Sequence, residues 1–256
     1  MRKYGYLVVE GPHDVEFAYR LLSPHGLRRV QYMGDLDPFF LPLIPRDFPP
    51  NDDLQMRVPV PLFLQSDTHA IAVHSAVGDS KLVSSVEVTC AVIEQGALTG
   101  IGLLLDSDKV IPALARYTEI RKQMKKKGFT LGDKPAVILE GPPKLGAYVL
   151  PENATEGTLE DLLLDSASAV YPGLLASAMG YVSSAMSIGL TADDLREINK
   201  PAGKNKAIVG AMASILRPGK AVQVSIQDNR WLKGAALLCP RIKEAKEFLS
   251  VLFDLP

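Results

Sequence analysis

The 256-residue chain has few of the residues that mark several common classes of protein. Its two cysteines, Cys90 and Cys239, lie in apolar stretches and match no zinc-ligand spacing, so we expect free, buried thiols. The four histidines form no His-x-x-x-His pair, which disfavours zinc hydrolysis. Neither a Gly-x-Ser-x-Gly elbow nor a Gly-x-x-x-x-Gly-Lys-Ser/Thr loop occurs. These absences disfavour a serine hydrolase and a built-in ATPase.

Long apolar runs and an excess of one charge are also missing. No stretch is long and apolar enough to span a bilayer, and the first residues lead into a short strand instead of a signal peptide's apolar run. We therefore expect a cytoplasmic protein. Lysine plus arginine number 28 against 29 for aspartate plus glutamate, a net charge of -1 that does not indicate a polyanionic partner. A local basic groove could still bind nucleic acid.

Short apolar strands alternate with helical patterns in the first part of the chain. Strands are predicted at 6–9, 70–77, 101–105, 136–139 and 147–150. The alternation predicts an α/β core with a mostly parallel sheet flanked by helices, carried by residues 1–150. Residues 151–256 show helical patterns and predict a helical C-terminal extension packed on the core. Its last helix, 241–253, has one apolar stripe, which we expect to pack internally, with a dimer face as the alternative.

Seven prolines lie between Pro38 and Pro61, inside a predicted insertion at about 35–68. No regular helix survives that spacing, because each proline removes a backbone donor and clashes with the preceding turn. We interpret the insertion as an extended surface segment, with a lid over the site as the alternative.

Acidic residues follow two of the predicted strands. Glu10 comes after the first, and Asp106 and Asp108 come after the third. Ligands of parallel sheets gather at the carboxyl ends of the strands, so these side chains are expected at one edge. Three carboxylates without a basic partner repel one another unless a cation neutralises them, and Mg2+ prefers such hard oxygen ligands. The sequence therefore predicts a site for Mg2+ or Mn2+.

The same residues carry a family resemblance. Val-Val-Glu-Gly-Pro-His-Asp at 8–14 and Leu-Leu-Leu-Asp-Ser-Asp at 103–108 resemble the Toprim domain of topoisomerases, primases, small ribonucleases and overcoming-lysogenization-defect (OLD) nucleases. The Toprim-like part covers about residues 4–130. Leu-Pro-Glu-Asn at 150–153 and Gly-Thr-Leu-Glu-Asp-Leu-Leu at 157–163 resemble a segment of stand-alone Toprim-like proteins and the downstream Leu-Glu element of OLD-type nucleases.

The resemblance implies a metal-dependent nuclease acting on DNA or RNA. It implies that Glu160 is a further metal ligand and that Lys204 or Lys206 lies near the scissile phosphate. In topoisomerase-type members the counterpart of Glu10 acts as a general acid or base. An ATPase, the usual companion of OLD nucleases, would be a separate subunit.

Several of these residues have a structural alternative. Asp14 is better explained as the N-cap of the following helix than as a metal ligand. For Glu160, a role in stabilising the helix start and a role as a metal ligand are equally well supported. Lys204 and Lys206 fit a solvated turn better than a catalytic role. His13 fits a turn residue better than a phosphate contact.

Two other functions stay open for the whole chain. One is a catalytically silent Toprim-fold scaffold or regulatory subunit, partnered with an ATPase. The other is a doubly wound α/β protein that binds a phosphate or nucleotide, since fold alone does not establish function.

Overall fold

A computed structural model gives the fold and describes residues 2–46, 52, 60–76, 78, 81–107 and 112–256. The strands of the described residues are β1 Lys3–Val9, β2 Arg28–Arg29, β3 Leu62–Gln65, β4 His69–Ser75, β5 Leu98–Asp106 and β6 Lys144–Leu150. They form one sheet in the order β2-β3-β4-β1-β5-β6. The four strands β4, β1, β5 and β6 are parallel, whereas β3 and β2 add an antiparallel edge.

Helices connect and cover these strands. Those of the described residues are α1 Pro12–Leu22, α2 Leu82–Val92, α3 Ala113–Lys126, α4 Leu159–Val170, α5 Pro172–Ala185, α6 Ala192–Leu195, α7 Gly203–Leu216, α8 Val222–Asp228 and α9 Pro240–Leu252. None is long and apolar enough to cross a membrane. Cys90 and Cys239 are free, as predicted, but half-buried and not fully so.

A buried hydrophobic cluster lies on each face of the sheet. Alternate residues of a strand point to opposite faces. Leu7 and Val9 of β1 therefore pack with α1 and with helices of the C-terminal part, whereas Tyr6 and Val8 pack with α2 and α3. The predicted α/β core with a mostly parallel sheet and a helical C-terminal part is confirmed.

The order of the parallel strands creates a switch point between β1 and β5. The chain leaves β1 through α1 and reaches β4 on one side, then passes through α2 to β5 on the other side. Ligand crevices of open α/β sheets form outside the carboxyl ends of strands at such a point. Val9 pairs with Leu104, so Glu10 and Asp106 emerge at the same edge.

The predicted strand at 136–139 is wrong. Ala136 has a left-handed φ of 62°, which interrupts an extended chain. Only Leu139 makes a bridge, an isolated antiparallel one to Leu145. The two-residue strand β2 and the short strand β3 lack a periodic signal of their own and were not predicted.

The described start of the proline-rich insertion is not a lid over the switch point. Pro38–Leu43 forms a 3-10 helix, so short helical structure does survive there. The Phe39 ring stacks on Tyr4 with centroids 4.1 Å apart, and Phe40 is buried. Tyr4 lies near the beginning of β1, whereas Glu10 follows its end. Residues 47–51 and 53–59 of the insertion lie outside the described residues.

Helix α9 packs internally, as predicted, and comes unusually close to the sheet. Its stripe is buried, comprising Ile242, Ala245, Phe248, Leu249 and Leu252. A Cβ added at Gly100 of β5 would lie 2.4 Å from the carbonyl oxygen of Leu252. Glycine in this strand therefore permits a close backbone approach.

Gly100→Ala should destabilise the protein, because the helix backbone must move away from β5. We expect a loss of about 1–3 kcal/mol in the free energy of unfolding, measured by urea denaturation. Gly96→Ala is the matched control, since a Cβ there meets nothing within 4 Å. The control should change stability by less than about 0.5 kcal/mol. Equal effects of the two substitutions would contradict this packing.

Candidate functional site

Glu10 is held between β5 and α3. Its Oε1 accepts a hydrogen bond from the backbone N–H of Asp106 at 3.2 Å. Arg116, in the first turns of α3, donates from Nη2 to the same Glu10 oxygen at 3.3 Å and from Nε to the Asp106 carbonyl at 3.4 Å. Arg116 is only 9% exposed, so its charge is a strong local influence on the carboxylate.

Asp106 connects the sheet to the C-terminal helices. Its Oδ1 accepts a hydrogen bond from the backbone N–H of Leu159, the first residue of α4, at 2.9 Å. The first N–H groups of a helix have no partner within the helix and favour a negative charge. The Asp106 carboxylate at the end of β5 therefore binds the N-terminus of α4.

The side chain of Asp14 caps the start of α1, although Asp14 is itself a residue of the helix. The N-cap position belongs to Gly11, not to Asp14, which corrects the predicted N-cap. Asp14 is the third helical residue, and its Oδ2 accepts a hydrogen bond from the Gly11 N–H at 2.9 Å. In a capping box, the side chain of the third helical residue accepts a hydrogen bond from the backbone N–H of the N-cap residue. Asp14 makes this bond, so its side chain does stabilise the start of the helix.

At α4 the two acidic residues of the first turn have different partners. Thr158 is the N-cap, and its N–H donates to Asp161 Oδ2 at 2.8 Å. Glu160 is buried and accepts a hydrogen bond from the Thr158 hydroxyl at 2.8 Å. Asp161 therefore makes the capping-box hydrogen bond to the N-cap residue. Glu160 lines a cavity instead.

A cavity of about 270 Å³ opens at the switch point. It is lined by Glu10, Gly11, Pro12, His13, Asp14, Gly78, Asp106, Leu159, Glu160 and Lys206. The structure thus brings together four of the five predicted metal ligands and one of the two predicted lysines. The fifth predicted ligand, Asp108, lies outside the described residues.

Lys204 and Lys206 are exposed, as predicted, but they lie in the first turn of α7, so the predicted turn is wrong. Gly203 suggested a turn, but it starts the helix at a close approach, where a Cβ would lie 2.2 Å from the Glu197 carbonyl oxygen. Two residues along a helix correspond to a rotation of about 200°. Lys206 consequently lines the cavity, whereas Lys204 does not.

Burial and like charge raise the pKa values of two cavity carboxyls. Burial, followed by the charge of Glu10, raises the pKa of Asp14 to about 7. Burial, followed by the charges of Asp14 and Glu10, raises the pKa of Asp106 well above its usual range. The ionised cavity is therefore under electrostatic repulsion that a bound cation would relieve.

His13 stands at the same cavity with a lowered pKa. Burial is the main cause, Glu160 opposes it, and Lys206 adds to it. The imidazole is accordingly neutral at pH 7, with one ring nitrogen donating and the other accepting.

The chemistry of the cavity fits a hard divalent cation. Carboxylate oxygens are the ligands that Mg2+ and Mn2+ prefer. Within the described ranges, no three His, Cys, Asp or Glu side chains already have the spacing of a metal centre. Glu10 is tied to Arg116 and Asp106 to the Leu159 N–H, so a metal ion would need these carboxylates to turn or to use their second oxygens.

Sequence reasoning missed Arg116. A signal existed, because a basic residue near the start of a helix is disfavoured by the macrodipole unless a nearby negative charge compensates it. Arg116 follows the Asp-x-Asp strand by ten residues and occupies such a position.

The fold and the cavity define a class, α/β proteins with an acidic crevice at the switch point of a mostly parallel sheet. The chain belongs to the family DUF3226, described as a protein of unknown function, whose profile matches residues 4–255. It is similar to the crystal structure of hypothetical protein PH0156 from Pyrococcus horikoshii OT3, with 18% identity and a TM-score of 0.53. The match covers 100% of this chain and 96% of that chain, and it shows a shared fold. No curated protein matches the chain.

The raised pKa of Asp14 predicts a stability that depends on pH. A folded-state value of about 7 above an ordinary value of 3.8 means that stability is lost as the pH rises through this window. In EDTA, this group should make the free energy of unfolding roughly 2–4 kcal/mol lower at about pH 8 than at about pH 5.

Asp14→Asn keeps an acceptor for the Gly11 N–H and should lose much of that pH dependence, although Asp106 still contributes. Urea denaturation at both pH values measures the difference. Glu119→Gln, at an exposed position of α3, is the control and should behave as wild type. The same pH dependence in wild type and Asp14→Asn would contradict the raised pKa of Asp14.

Proposed function

We propose that this protein is a metal-dependent phosphodiester hydrolase with a Toprim-type core, a nuclease that acts on DNA or RNA in the cytoplasm. The observation that carries the proposal is the meeting of Glu10, Asp14, Asp106 and Glu160 with Lys206 in one cavity. The Toprim-like sequence around Glu10 and Asp106 supports it independently. The free cysteines are in keeping with a reducing compartment.

Glu10, Asp106 and Asp108 would hold Mg2+ or Mn2+, with Glu160 as a further ligand and Asp14 adding negative charge. Such an ion, when bound, polarises a phosphoryl oxygen and makes a water molecule more acidic. The remaining tasks fall to the residues of the chain itself.

Lys206 is suited to offset the negative charge of a phosphodiester in the cavity. A lysine in the first turn of a helix is disfavoured by the macrodipole, and the cavity carboxylates compensate for this. A substrate phosphate would add negative charge next to those carboxylates, and a compact ammonium group at Lys206 would reduce that repulsion. Lys204, on the other side of α7, has no such role in the proposal.

Glu10 and His13 are suited to hold or move a proton. Glu10 is fixed in orientation by the Asp106 N–H and Arg116, and this favours either a ligand or a general acid or base. Neutral His13 can donate to a phosphate oxygen or accept a proton from a nearby water.

One observation favours a second candidate, a catalytically silent scaffold or regulatory subunit that works with a separate ATPase. Arg116 already gives Glu10 a buried cationic partner at 3.3 Å. In that function the Arg116–Glu10 pair would replace a metal ion, and the cavity would serve assembly and not hydrolysis.

Glu10→Gln and Asp106→Asn decide between these candidates. Plasmid, single-stranded DNA and RNA are incubated with each purified variant in Mg2+ or Mn2+. We expect each substitution to reduce cleavage by at least about 100-fold, because each removes charge at the centre of the cavity. Glu119→Gln is the matched control and should cleave as wild type. Cleavage that neither cavity substitution reduces would contradict the nuclease proposal. Metal binding without any cleavage would favour the scaffold.

The two lysines of α7 form a second matched pair. Lys206→Gln should lower kcat by about 10-fold or more, because it removes the charge that faces a bound phosphate. Lys204→Gln should leave kcat within about twofold, because Lys204 does not line the cavity. Steady-state cleavage of a labelled oligonucleotide measures both, and equal losses would exclude a specific role for Lys206.

A further inference from the structure

Four basic side chains lie together where α1, β2, the end of α7 and the segment after α8 meet. They are Arg20, Arg29, Arg217 and Lys233. Two carboxylates pair with this group, Glu16 with Arg29 and Asp228 with Arg217, the latter at 3.1 Å. Four cations therefore share two anions, and the basic cluster has a local charge of about +2.

Arg20 and Lys233 are the members without a carboxylate partner in the described part of the chain. Arg20 Nη2 donates to the carbonyl oxygen of Leu232 at 3.5 Å. Lys233 Nζ donates to the carbonyl oxygen of Asp228 at 2.7 Å. Backbone carbonyls carry no net charge, so the surplus positive charge remains.

The structure carries signs of an uncompensated cluster. Burial, with Arg29 contributing, lowers the pKa of Arg20. Burial, followed by the charge of Arg20, lowers the pKa of Lys233. The buried Nε atoms of Arg20, Arg29 and Arg217 have no hydrogen-bond partner among the described residues. Bringing an anion to this surface would relieve the repulsion.

Helix geometry connects the basic cluster to the acidic cavity. Arg20 follows His13 by seven residues of α1, which is two turns, so both lie on one side of the helix about 10 Å apart. Arg217, the C-cap of α7, follows Lys206 by eleven residues, which corresponds to about 16 Å along the helix axis. His13 and Lys206 both line the cavity. The cavity and the basic cluster are thus connected by the same two helices, α1 and α7.

We propose that the basic cluster binds the phosphate backbone of a nucleic-acid strand whose scissile bond lies in the acidic cavity, an inference that rests on the proposed function. A strand has one phosphate for every ~3.4 Å of a duplex axis, so 10–16 Å corresponds to roughly three to five nucleotides. Arginine guanidinium groups match phosphate oxygens in pairs. Contacts to phosphates would position the strand without reading its sequence.

The test is fluorescence anisotropy with a labelled single strand of about 20 nucleotides, as DNA and as RNA, in EDTA over a series of salt concentrations. Arg20→Gln/Lys233→Gln should weaken binding by about 10-fold or more and reduce the slope of log K against log[salt] by roughly 1.4–1.8. Lys125→Gln/Lys126→Gln is the matched control. It removes the same charge from exposed positions of α3, on the other face of the sheet, and should leave the slope unchanged.

A charge-conserving pair, Arg20→Lys/Lys233→Arg, distinguishes charge from folding and should keep the wild-type slope. The inference is overturned if the wild type binds neither strand, or if the neutral pair binds as the control does. It is also overturned if polyglutamate displaces the labelled strand as well as an unlabelled strand of the same length does, because any polyanion would then suffice.

Cleavage is scored separately with unmodified plasmid in Mn2+. Strand binding that depends on the basic cluster, with no cleavage, would defeat the proposed function and leave the cluster assignment standing. Cleavage that depends on Glu10, with strand binding unchanged in Arg20→Gln/Lys233→Gln, would support the proposed function and contradict the assignment of the basic cluster.

Discussion

Repulsion among buried carboxylates is the constraint on which the rest of the structure depends. Parallel pairing of β1 with β5 brings Glu10 to the backbone of Asp106, and the start of α1 adds Asp14. The protein counters this charge with Arg116, with Lys206 and with the N–H groups that begin α1 and α4. The pKa values of Asp14 and Asp106 nevertheless stay raised, first because the two carboxyl groups are buried and second because of the neighbouring carboxylates. A cation, supplied from solution in the proposed function, would complete the neutralisation of this charge.

The helical C-terminal part takes a direct part in this arrangement. Leu159 at the start of α4 donates to Asp106, and Asp161 of the same turn accepts from Asn205 of α7 at 2.8 Å. These contacts fix Lys206, the residue after Asn205, at the cavity. The buried cluster on that face of the sheet contains residues of β1 and of the C-terminal helices together. The two parts of the chain therefore build one site around one shared core.

Strand ends could be predicted from the sequence, whereas the partners that meet there could not. Apolar runs that stop at Glu10 and Asp106 indicated where β1 and β5 finish, and parallel topology then placed the two carboxylates at one edge. The contact of Arg116 with Glu10 depends on how α3 packs against the sheet. The position of Lys206 at the cavity depends on the residue at which α7 begins. Both are set by tertiary contacts that a local pattern does not contain. The strand at 136–139 failed because Ala136 adopts a left-handed conformation that its residue type does not signal.

Anomalous diffraction from crystals grown with Mn2+ tests the proposed metal site most directly, because it locates the ion without any assumption about substrate. We expect an anomalous peak in the cavity, with oxygens of Glu10 and Asp106 at about 2.0–2.3 Å from it, and Arg116 turned away from Glu10. The peak should disappear in Asp106→Asn. A cavity without a peak at saturating Mn2+, and with the Arg116–Glu10 pair intact, would show that these carboxylates do not form a metal site.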